Sequence, residues 1–150
     1  MDISKLECLP IRFHDSRTTK VNFKDYKLTL EFDYIVDESE KNPPNDKGLI
    51  LSFVLNRKKY TSESVEGAVS LIISQNRTKK NLDDFVRSLS LADYVKFLKT
   101  NGETLDIYDI YVRQGGCLIL AEQTVDGALC GNWVVIQLFA VNEVVYEWID

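Results

Sequence analysis

Apolar and polar residues alternate most cleanly between Tyr26 and Val36. Tyr26, Leu28, Leu30, Phe32, Tyr34 and Val36 share one side, and Lys27, Thr29, Glu31 and Asp33 the other. A period of two predicts a strand with one dry and one wet face. The run Leu49 to Leu55 is nearly all apolar, as expected of a central strand. From Leu105 to Ala140, three runs rich in β-branched and aromatic residues are separated by Gly115-Gly116 and Asp126-Gly127. Those pairs take positive φ cheaply, as tight hairpin turns require. Asn142-Glu143 reads as a further turn before a last short strand, Val144 to Ile149. Trp148 near the end is costly to leave wet, so that strand is expected to be docked.

The pattern changes period between residues 62 and 100. Val65, Ala68, Val69, Ile72 and Ile73 follow a serine N-cap at helical spacing, and Leu82, Phe85, Val86 and Leu89 repeat it. Ser90 with Asp93 resembles a capping pair, with aspartate a shorter stand-in for the usual glutamate. Tyr94, Val95, Phe97 and Leu98 continue, and Asn101-Gly102 is a stop, which predicts one short helix and then a longer helix or bent pair over 81–100. Residues 6–13 predict a short edge strand interrupted by Pro10. His14 to Thr19 read as a loop, and so does the acidic, proline-bearing stretch from Asp37 to Lys47. These elements predict one α+β domain over residues 1–150. It is an antiparallel, hairpin-connected sheet of about five to seven strands, with two or three helices packed on one face.

Composition narrows the function classes. At 150 residues, 45% hydrophobic and 27% charged, the chain is globular. Its formal net charge of −5 opposes general nucleic-acid binding and favours a basic partner. No apolar run approaches the ~20 residues a spanning helix needs, and the start lacks an apolar leader, so the cytoplasm is the expected compartment and no membrane partner is expected.

Candidate chemistry is sparse. His14 is the lone histidine; with Asp15 and Cys8 or Cys117 it could assemble a nucleophile and base, but the spacing does not support that, and it reads as a surface-loop histidine. One histidine and three scattered cysteines lack metal-site spacing, and no cofactor motif is present. Asp106 and Glu122, paired across the Gly115-Gly116 hairpin, could share a sheet face; two close carboxylates can do acid–base work, or simply solvate that face. Large apolar groups flank them: Leu105, Ile107 and Tyr111 on one side, Tyr108, Ile110 and Val112 on the other. Arg57, Lys58, Lys59, Lys79 and Lys80 could line a single-strand nucleic-acid groove, or be solvated loop charge.

In general character — small, single-domain, acidic, without a catalytic motif — the whole chain resembles the immunity proteins that accompany bacterial toxins in contact-dependent growth inhibition. The resemblance implies a non-enzymatic protein that binds a cognate toxin domain, often a nuclease, and blocks its basic active site with acidic and aromatic side chains. The candidate partner-binding residues are Asp106, Tyr108, Asp109, Tyr111 and Glu122, and then Asp37, Glu38 and Glu40 of the acidic loop. A single-stranded nucleic-acid-binding sheet and a small carboxylate-using enzyme are the alternatives.

Overall fold

A computed structural model of the chain describes residues 1–9, 11–14, 16–37, 47–57 and 90–149. In order they form a 3₁₀ helix Ile3–Cys8, β1 Ile11–Arg12, β2 Ser16–Lys24, β3 Lys27–Asp37, β4 Lys47–Leu55, α1 Leu91–Asn101, β5 Thr104–Arg113, β6 Gly116–Val125, β7 Ala128–Leu138 and β8 Val141–Ile149. The described residues are mainly β, with eight strands, one α-helix and one 3₁₀ helix. Among the described residues the sheet is antiparallel and hairpin-connected, as the periodicity predicts, and its eight strands exceed the five to seven expected. The helix expected after Ser62 and the segment 81–89 lie outside the described residues.

Strand order explains the shape. Neighbours run β7-β6-β5-β2-β3-β4-β8, with β1 on the far end of β3. β7 and β8 are last in that row at opposite ends, yet only Phe139 and Ala140 join them. Seven strands laid flat would put them about 29 Å apart, at about 4.8 Å per step. Three Cα steps reach at most about 11 Å. The sheet must therefore be rolled, bringing its two ends together at this link. The Ala140 carbonyl accepts from the Asn56 N–H beyond β4, and the Val141 N–H donates to Gly115 O in the β5–β6 turn, at 2.9 and 2.8 Å. β2 makes the corner. Ser16 and Arg17 pair with β5, and from Thr18 onward the strand pairs with β3.

Inside the rolled sheet lies one continuous core. β3 and β4 contribute Leu28, Leu30, Phe32, Leu49, Leu51 and Phe53, and β5–β7 contribute Leu105, Ile107, Ile119, Val134 and Ile136, all fully buried. Leu91, Tyr94, Val95 and Leu98 seal one side from α1. That helix is bounded as its sequence predicts: the Ser90 hydroxyl accepts from the Asp93 N–H at 3.2 Å, and Gly102 ends it at φ +64°. α1 is tied to β6 through Gln123, which accepts from the Tyr94 hydroxyl at 3.2 Å and donates to Glu103. Trp148 packs against the core, with the Lys47 ammonium 5.9 Å from its ring centroid.

Several expectations are corrected. His14 to Thr19 is not all loop: β2 starts at Ser16. Its first inward positions, Ser16 and Thr18, are hydroxyls whose bonds go to backbone, so no apolar pattern marks its start. Ser16 Oγ donates to Arg12 O at 3.3 Å, and Thr18 Oγ1 both donates to Leu105 O and accepts from its N–H at 3.0 Å. Residues 3–8 form a 3₁₀ helix that buries Ile3 and Leu6, leaving a strand of only Ile11 and Arg12. The β5–β6 turn is Gln114-Gly115, while Gly116 opens β6; a Cβ there would run into the Leu138 carbonyl oxygen, so glycine is needed for close approach. The β7–β8 turn falls at Phe139-Ala140, ahead of Asn142-Glu143. The alternation of β3 breaks at an irregularity between Phe32 and Ile35; Ile35 is buried and Tyr34 is 48% exposed.

Candidate functional site

β5 carries most of the candidate residues, and a bulge divides it. Ile107 pairs with Ala121 and Asp109 with Leu120, so Tyr108 is an extra residue with no opposite number. The extra residue resets the phase: Leu105, Ile107 and then Ile110 point into the core. Ile110 and Tyr111 therefore do not stand where unbroken alternation puts them. Asp106, Asp109 and Tyr111 instead share the outward side.

N-terminal to the bulge, Asp106 sits directly opposite Glu122, on one sheet face as expected, in a register set by the Gln114-Gly115 turn and the bulge together. A row of directly opposed residues crosses four strands: Arg17, Asp106, Glu122 and Trp133. The two carboxylates do not solvate the sheet. Asp106 is 9% exposed and Glu122 5%. The Tyr108 hydroxyl donates to Glu122 Oε1 at 3.3 Å, and its ring stacks on Trp133, centroids 4.8 Å apart and 22° between planes. Just beyond, the Thr104 and Thr124 hydroxyls share a hydrogen bond at 2.6 Å. Arg17 reaches the β6–β7 turn, one guanidinium nitrogen lying 3.6 Å from where a Cβ on Gly127 would stand. Buried carboxylates need such polar company, since an unpaired charge removed from water costs several kcal/mol, to order of magnitude.

C-terminal to the bulge the setting is different. β2 begins only at Ser16, opposite Ile107, so among the described residues no strand pairs with the N–H groups of Ile110 and Val112. The Asp109 carboxylate accepts from Ile110 at 2.8 Å, and the Glu7 carboxylate, from the 3₁₀ helix, accepts from Val112 at 3.3 Å. A cleft of about 330 Å³ runs along this edge, with Leu6, Ile11 and Phe13 among its apolar lining and Arg12, His14 and Tyr111 among its polar lining. Tyr111 is 50% exposed. A second cleft, about 450 Å³, lies between β2 and the end of α1, where the Lys99 ammonium donates to Asn22 and Lys20 pairs with Glu31 at 3.7 Å.

The structure thus brings Asp106, Tyr108 and Glu122 together and sets Asp109 and Tyr111 apart from them. Asp37 ends β3, its backbone opposite Ile11. Glu38 and Glu40 lie outside the described residues, as do Lys58, Lys59, Lys79 and Lys80. Arg57 lies over the Tyr26 ring at 5.4 Å from its centroid. His14 and Cys117 are not partners: Cys117 points into the core, and burial pushes its thiol up to about 12. Among the described residues no group of three or more His, Cys, Asp and Glu could hold a metal, and no helix is long and apolar enough to cross a membrane. Glu7 and Trp133 are the residues sequence reasoning missed. Trp133 was visible only as a strand residue, and Glu7 carries no local signal, since its acceptor role is set by a strand 105 positions away.

Comparison with protein-family models, curated proteins and solved structures gave no match for this chain. What the protein does must be argued from its own geometry.

Proposed function

We propose that this protein is a non-enzymatic acidic binding protein that works by masking the basic site of a partner protein, as the immunity proteins it resembles mask their toxins. The supporting observation is the outer half of β5. There Asp109 and Glu7 flank Tyr111, whose half-exposed ring lies beside an open cleft, in a chain of formal net charge −5. Acid beside an exposed aromatic is the chemistry of a rim that steers a cationic protein in and an anchor that holds it. On this reading Asp109 and Tyr111 touch the partner, while Asp106, Tyr108 and Glu122 give the strand its rigidity from the enclosed row. A protein toxin of the nuclease class, basic where it grips phosphate, fits as the partner.

The test is to co-express the chain with the product of the adjacent reading frame and measure the complex. The expected result is nanomolar affinity whose association rate falls steeply with salt. No binding by a basic neighbour, or an association rate indifferent to salt, would overturn the reading.

A second reading has one observation in its favour. Asp106 and Glu122 are opposed, buried and joined by a tyrosine hydroxyl, which is a possible acid–base pair. Neither lines either of the two clefts described above, so a substrate has no approach to them there. Turnover abolished by Glu122→Gln without loss of fold would establish it.

A further inference from the structure

A strand edge normally ends in one of two ways: it is paired, or it is guarded. The outer half of β5 is guarded by carboxylates. On its other side the residues pair with β6, through Asp109↔Leu120, Tyr111↔Leu118 and Arg113↔Gly116. The two-residue turn makes Arg113 and Gly116 a hydrogen-bonded pair, so Ile110 and Val112 point their N–H groups the opposite way. Both meet side-chain carboxylates where a sheet would supply backbone carbonyls. The cleft runs beside them with an apolar lining, and its volume of about 330 Å³ is that of a small recognition site.

We propose that Asp109–Arg113 is a strand-addition site, and that it takes a short extended segment of the basic partner with arginine or lysine at alternate positions. This rests on the reading of the protein as a binder of a basic partner. The carboxylates decide the chemistry. An incoming strand offers its carbonyls to the Ile110 and Val112 amides, and so displaces Asp109 and Glu7. Two released anions beside an apolar cleft are costly unless cations arrive with the strand. A basic segment supplies them, its backbone taking the amides and its alternate side chains taking the carboxylates. A neutral segment leaves two anions without partners, and an acidic one adds like charge. The guard that deters indiscriminate edge pairing is therefore also the filter that admits one class of segment. Tyr111, exposed on the same stretch, offers its ring face to the arriving cation.

The experiment uses the full chain, labelled for amide NMR, and three capped hexapeptides. One alternates valine and arginine, one replaces arginine with glutamate, and one keeps arginine but carries N-methyl groups on the amides that would face β5. The arginine peptide should shift the Ile110 and Val112 amides and slow their exchange. The other two should bind at least about tenfold more weakly. Glu7→Gln combined with Asp109→Asn should weaken the arginine peptide by about tenfold without lowering the melting temperature. Equal binding of the N-methylated peptide, or no binding of the arginine peptide, overturns strand addition. A basic protein that binds the chain while leaving the Ile110 and Val112 amides unmoved also overturns it, and leaves the masking function standing. If neither the peptide nor the basic neighbour binds, both fall.

Discussion

The two halves of β5 hold the same kind of side chain in opposite circumstances. Before the bulge, Asp106 faces Glu122 in an enclosed row, with Tyr108 and Trp133 stacked alongside. After it, Asp109 and Glu7 stand at an open edge, each accepting from a backbone amide that has no strand to meet. One extra residue and the start of β2 at Ser16, opposite Ile107, separate the two settings. Carboxylates spaced three apart on one strand are thus committed to different work. On the proposed reading the enclosed pair serves the architecture and the edge pair meets the partner. Composition cannot make that distinction, because it depends on how far along β5 the neighbouring strand reaches.

The sharpest way to break the contrast is charge reversal on both sides of the bulge. Glu122→Lys places an ammonium in a position that is 5% exposed, and it should cost at least about 3 kcal/mol of stability. Asp109→Lys, half-buried at an edge, should cost no more than about 1 kcal/mol, the loss of one amide acceptor. Urea melts of the two variants check this. Similar losses would mean that the enclosed and open settings do not differ energetically.

Alkaline pH probes the core face of the same hairpin. Cys117 lies opposite Val112 and is fully buried, with a thiol raised from 9.0 to about 12 by desolvation. A raised folded value means that the native state holds its proton where the unfolded chain has lost it. The stability this contributes is whole below pH 9 and is lost as pH climbs from 9 toward 12, by about 1.4 kcal/mol per unit at most. Cys117→Ala should flatten the fall in stability over that window, measured by urea melts at each pH. Native-state alkylation at neutral pH followed by peptide mapping should label exposed Cys8 and spare Cys117.

These contrasts show how far the chain's pattern reached. The Asp126-Gly127 turn, the Ser90 and Gly102 helix limits and the place of β4 between two other strands were legible, because each depends on local chemistry or on an unbroken apolar run. β2 was not, because Ser16 and Thr18 fill core-facing positions through hydroxyl bonds to distant backbone. The phase changes in β3 and β5 were not either, since a one-residue bulge leaves hydrophobicity unchanged while turning every later side chain over. The recruitment of Glu7 to β5 joins positions 105 apart, and the stacking of Tyr108 on Trp133 beside Glu122 joins strands that are not neighbours; neither is written locally, and nor is the rolling of the whole sheet. No window of sequence contains that event, although the two-residue β7–β8 link records it once the strand order is known.

The smallest effect tests whether Tyr108 belongs to the enclosed side. Tyr108→Phe keeps the ring against Trp133 and removes the hydroxyl that donates to Glu122. A buried carboxylate deprived of one donor should cost about 1 kcal/mol, less than charge reversal because the ring still fills its place. Pairing the change with Glu122→Gln in a double-mutant cycle isolates the bond: the two losses should fall short of additive by about 0.5 kcal/mol or more. Binding to a basic partner should be unchanged by Tyr108→Phe, whereas Tyr111→Ala should weaken it. If Tyr108→Phe weakens binding as much as Tyr111→Ala does, the recognition surface extends across the bulge, and the division of β5 into an architectural half and a docking half is drawn in the wrong place.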